Sequence, residues 1–113
     1  NLQLMTKGTR MHTMTVMKPF RWSAEKNEAL QKNRHVSFEA MVVEIEAEGL
    51  LDVLQHPNAA KYPGQRVLVV ARDGYVYLVP MVEEADYFFL KTIIPSRKAT
   101  RDYLNMGGTN EKA

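Results

Sequence analysis

The spacing of apolar residues changes period near the middle of this chain. In the first half it is helical. Phe38, Met41, Val42 and Ile45 fall at i, i+3, i+4 and i+7, which makes one apolar stripe, and glutamates line the other side. Ser37 stands at the N-cap position, and Gly49 is expected to end this helix as a left-handed cap. Upstream, Ser23 caps a more polar helix over about 24–33, with Ala24, Ala29 and Leu30 as its few anchors. Pro19–Trp22 reads as a short edge strand.

After Gly49 the period falls to two. Leu50–Leu54 is a short strand, and QHPNAAKYPGQ (55–65) is a loop long enough to be functional or mobile. Arg66–Arg72 and Tyr75–Val82 flank Asp73-Gly74, a strong hairpin signal. Glu83–Asp86 is a second turn, Tyr87–Ile94 a third long strand and Ser96–Leu104 a short closing helix. These elements predict one α+β domain over 17–105, with no internal repeat. Residues 1–16 follow neither period. They read as an over-extended leader before a start at Met17, or as a natural flexible arm. Residues 106–113 read as a disordered tail.

A two-residue hairpin loop pairs Arg72 with Tyr75, and directly paired residues share a face. One face then carries Arg66, Leu68, Val70, Arg72, Tyr75, Tyr77, Val79 and Met81. The other carries Val67, Val69, Ala71, Val76, Leu78, Pro80 and Val82, all apolar, and is expected to be the core side under the helices. Lys91 on that aliphatic face would be a buried ammonium without a partner. An odd turn or a bulge avoids this by sending Phe88 and Leu90 to the core and Lys91 to the Arg/Tyr face.

Charge sharpens the picture. The net charge is only +2, but residues 39–48 hold four acids and no base, while residues 87–101 hold four bases and no acid. Lys91, Arg97, Lys98 and Arg101 surround Pro95-Ser96, where strand gives way to helix. Cations in a first helical turn oppose the helix dipole, so an anionic partner is expected there. Aromatics interleaved with cations suit single-stranded nucleic acid, bases stacking on rings and phosphates on cations. Arg66, Arg72, Lys91 and Arg97 are the expected phosphate clamp, with Tyr75 or Tyr77 stacking and Lys98 and Arg101 adding charge. His56, Lys91 and a tyrosine are the candidates for proton transfer. The chain has no cysteine, and His12, His35 and His56 are scattered, so no metal-ligand spacing exists and no cofactor is expected. No P-loop, dinucleotide fingerprint or nucleophile elbow is present. No apolar run approaches a membrane span and no secretory leader is visible, so no membrane role is expected and a cytoplasmic location is.

Two segments also resemble a known family. FRWSAEKNEALQKNRHVSFEA (20–40) is similar to the opening of BrnT-type toxins, and KTIIPSRKATRDYL (91–104) resembles their closing Arg-Ile-Ile-Ser-Ala-Arg-Lys-Ala-Thr pattern. The resemblance brackets about 18–104. It implies a RelE-like fold, with an N-terminal helix pair on one face of a curved antiparallel sheet of about four strands and a short C-terminal helix. It implies a bacterial type II toxin, a metal-independent ribonuclease that blocks translation by RNA cleavage. A cognate DNA-binding antitoxin, and with it a higher-order toxin–antitoxin assembly, comes with that implication. On it, Lys91 matches the last-strand Arg, Arg97 and Lys98 match the Arg-Lys pair, and Arg66 matches the Arg that opens the central hairpin. The segment LLDVLQHPNAAKYPGQ departs from the family, and Lys91 lacks the bidentate geometry of Arg. The competing reading is a non-catalytic module whose basic face grips an acidic or amphipathic protein.

Overall fold

In the computed structural model residues 18–105 are described, and the expectations for residues 1–17 and 106–113 lie outside the described residues. The chain runs β1 (Phe20–Arg21), α1 (Ala24–Arg34), α2 (Phe38–Glu46), β2 (Leu50–Gln55), β3 (Gln65–Arg72), β4 (Tyr75–Glu83), β5 (Phe88–Leu90), β6 (Ile94–Pro95) and α3 (Arg97–Thr100), closing in a π-helical turn, Arg101–Asn105. The protein is α+β, as expected, but its sheet has six strands in place of about four. It is also mixed. The order is β1-β5-β4-β3-β2, with β6 also on β4 and β1 parallel to β5. No helix among the described residues is long and apolar enough to cross a membrane.

The N-caps follow from sequence. Ser23 accepts from the Lys26 amide, Ser37 from Ala40 and Ser96 from Ala99. The link between the two long helices was not legible. Buried Asn27 accepts the Phe38 amide at 2.8 Å and donates to the Glu39 carboxylate, so α1 supplies a second cap to α2. Trp22 stacks on Phe38 with ring centroids 5.6 Å apart.

Gly49 is not a left-handed cap. Helix α2 ends at Glu46 with Ala47 as its cap, and among the described residues the left-handed ones are His35, Asp73, Gly64 and Gly74. Two positive φ values at Asp73-Gly74 make the predicted hairpin turn, and the β3–β4 register is the expected one throughout.

The assignment of the two faces is reversed. Leu68, Val70, Val79 and Met81, on the Arg/Tyr face, are buried with Leu30, Val36, Phe38, Met41, Leu90 and Ile93. Each such side chain contributes about 1.5–3 kcal/mol on burial. The all-aliphatic face holds a smaller cluster, Val69 and Val76 under Ala99 and Leu104 of the C-terminal segment. The inversion has a simple cause. Arg66 and Arg72 sit at opposite ends of β3, about 20 Å apart, so charge flanks the covered middle of their face without entering it.

The third strand is broken. Glu83 pairs with Phe88 across a four-residue turn, which puts Phe88 and Leu90 on the helix-covered face and Phe89 on the other. Between Leu90↔Met81 and Ile94↔Leu78, three residues face two, a bulge. Pro80 lies opposite it. Its carbonyl accepts from the Lys91 amide, so its missing N–H points the same way and leaves the ladder a donor short. The bulge turns Ile93 into the core, and Arg34 takes the Ile93 carbonyl at 2.7 Å.

Candidate nucleic-acid interface

The registers define straight rows across the sheet on the face away from α1 and α2. In the first row the His56 amide bonds the Gln65 carbonyl, and Gln65, Val82, Phe89 and Arg21 follow strand by strand. The second row runs Leu54, Val67, Pro80 and Lys91. None of these residues is buried. The third row, Asp52, Val69, Leu78 and Ile94, slips under the C-terminal segment, and Ile94 leads directly into α3. Two rows are therefore left open beside a basic helix.

Lys91 stands in this open area and is exposed, because the aliphatic face is not closed there. The burial cost that argued against this position does not arise. Arg97 and Lys98 of α3 and Arg101 of the turn that follows are exposed as well. Among the described residues, Lys91, Arg97 and Arg21 make no ion pair, whereas Lys98 binds Asp102 at 2.6 Å. The Lys98 ammonium, through that hydrogen bond, holds the Asp102 carboxyl below its usual range. Arg21 stacks over the Tyr87 ring at 5.2 Å. Phe89 and Lys91, expected on one face with Arg66, Arg72, Tyr75 and Tyr77, therefore lie on the opposite face, where Arg21 and Tyr87 accompany them.

Four of the predicted residues lie on the other face. Arg66 is bound to Glu83, which also holds Lys18, and Arg72 is bound to Glu44 at 2.7 Å. Tyr75 and Tyr77 meet edge-on at 5.6 Å, and Tyr77 packs on the main core. The predicted single clamp is thus divided by the thickness of the sheet. His56 ends the open row, three strands from Phe89 or about 14 Å. Its Nδ1 accepts from the Asn58 amide and its ring lies 4.4 Å from Tyr62. With that lone pair used, the neutral ring carries its proton on Nε2 and presents a donor, not a base.

Hydrogen bonds from Lys18 and Arg66 hold the Glu83 carboxyl below its ordinary 4.5. A carboxyl lowered on folding stabilises the protein fully above its unfolded value, and that contribution disappears as pH falls through the folded value. Melting temperature between pH 6 and pH 3 should therefore fall less steeply in Glu83→Gln than in the wild type. Equal slopes would show that the pair contributes nothing.

Among the described residues no cluster of three or more His, Asp or Glu is placed to hold a metal ion. Comparison of the chain with protein-family models, curated proteins and solved structures returned no match.

Proposed function

We propose that this protein binds single-stranded RNA on its open sheet face and acts as the endoribonuclease toxin of a type II toxin–antitoxin module with a RelE-like fold. The observation that carries the binding half is the pair of open rows, with Phe89, the Arg21–Tyr87 stack and Lys91 beside the cations of α3. Phe89 and Tyr87 are half-buried there, and a sheet face that offers partly open aromatic rings beside cations is how sheets bind unpaired bases. The resemblance of 20–40 and 91–104 to BrnT-type toxins supplies the rest, together with the element order.

In such a reaction the 2′-oxygen attacks the adjacent phosphorus and loses its proton to a base. The bond to the 5′-oxygen breaks, and that oxygen takes up a proton. Lys91 and Arg97 are suited to the charge that builds on phosphorus. His56, about 14 Å along the row from Phe89, stands too far from Lys91 to serve the same leaving oxygen and is assigned no proton transfer at that phosphate.

Two measurements test the reading. Inducing the chain alone in bacteria should arrest growth and degrade bulk RNA, and Arg97→Ala should not. In vitro, Phe89→Ala should weaken binding of a single-stranded oligoribonucleotide about tenfold or more, the worth of one stacked base. Lys91→Ala should reduce the salt slope by about 0.7, one phosphate contact. Tyr75→Ala, on the other face, should change neither. If Tyr75→Ala is the damaging substitution and Phe89→Ala is silent, the RNA lies elsewhere.

A further inference from the structure

The helix-covered face is not covered to its end. Beyond Ile45, near the end of α2, lies an apolar groove of about 170 Å³ lined by Phe20, Ile45, Leu50, Val53, Leu68, Met81 and Phe88, with Arg66 the one charged residue in its wall among the described residues. It crosses the sheet from β1 to β2. Leu50 and Val53 on the outer strand are 37 % and 44 % exposed, which is high for aliphatic residues beside a core. At the rim Arg66 and Lys18 share one carboxylate, Glu83, so two cations face a single acid. Lys18 also lies over the Phe88 ring, 5.4 Å from its centroid.

We infer that this groove is a protein-docking site for an amphipathic helix that brings aliphatic anchors and a carboxylate. The excess positive charge of the rim selects the sign of the incoming residue, and burial of the aliphatic lining supplies the attraction. Strand addition at β2 is the competing mode, and the structure opposes it. The Val53 amide, turned away from β3, is taken by Asp52 Oδ1 at 2.8 Å, and the other Asp52 oxygen accepts the Tyr103 hydroxyl. That blunts the edge as a template. A helix laid across the sheet spans four strand spacings, about 19 Å, or about 13 residues. The groove and the open rows are on opposite faces, so the partner helix and RNA do not compete for surface. The inference therefore stands apart from the RNA reading.

The test is fluorescence anisotropy with labelled 14-residue helical peptides, leucines along one face and either glutamates or lysines along its margin. The glutamate peptide should bind at least tenfold tighter than the lysine peptide. Val53→Asp should lose that binding, and Arg66→Glu should invert the preference. Arg97→Ala should bind the peptide like wild type while losing RNA, which separates the two sites. Equal binding of both peptides, or a silent Val53→Asp, overturns the inference. So does a tenfold gain on removing residues 1–17, because the groove's occupant would then be the chain's own N-terminal segment.

Discussion

Thr100→Val should lower the unfolding free energy by about 2–3 kcal/mol, whereas Thr100→Ser should cost about 1 kcal/mol, the value of a buried methyl. Valine matches threonine in shape, so the difference isolates the hydroxyl. Thr100 is buried, its Oγ1 accepts the Val76 amide at 2.8 Å, and it donates to the Ser96 carbonyl at 2.8 Å. The Ser96 amide in turn donates to the Val76 carbonyl. Strand β6 ends at Pro95↔Tyr77, and Ser96 and Thr100 take over its work, satisfying the next residue of β4. In Thr100→Val the buried Val76 amide has no partner, and α3 loses its anchor. Denaturant melts measure the loss, and accelerated exchange of the Val76 amide locates it. RNA affinity should fall with it, since Arg97, Lys98 and Arg101 ride on that helix. Equal stability of the valine and serine variants would remove the hydroxyl from the account.

Gly49→Asn should cost about 3 kcal/mol or more, the upper range for overpacking, while Gly74→Asn should cost under about 1 kcal/mol. The two glycines are needed for different reasons. Gly74 has φ +78° and open space around it, so a residue tolerant of left-handed backbone replaces it at small cost. Gly49 has no left-handed φ; a Cβ there would lie 2.7 Å from the Glu44 Cβ and 2.8 Å from the Ala71 carbonyl oxygen. Its own amide donates to Glu44 and its carbonyl accepts from Ala71, so the backbone is held on both sides and does not yield. Were Gly49 a left-handed cap, asparagine would be among its best replacements. Urea titration of the two variants decides the matter, and a reversed order would restore the cap.

Gly49 also shows where local reading stops. A glycine after an apolar-periodic helix carries the same local signal whether it adopts φ > 0 or lets another strand approach. The distinguishing atom, the Ala71 carbonyl, is more than twenty residues away. Asn27 is a similar case. In sequence it is one polar residue in a polar helix; in the fold it is buried between α1 and the first turn of α2.

What the sequence determined by itself was everything whose cause lies within a few residues. That includes the two long helices with their serine caps, the Asp73-Gly74 turn and, from that turn, every pair in the central hairpin. Period two also divided the hairpin correctly into two sets of residues. Which set faces the helices was decided only by the tertiary structure. The aliphatic set looked like the core because it has no charge. However, a charge at the end of a long strand need not enter the middle, and α1 and α2 settle over Leu68, Val70, Val79 and Met81 between Arg66 and Arg72. Once that choice is made, the bulge opposite Pro80 and the short α3 leave Lys91 and Phe89 on an uncovered half-face. The basic residues of KTIIPSRKATRDYL do lie together, on the side of the sheet opposite to the one their charge suggested. Proximity in sequence kept them in one group, and long-range packing chose the face.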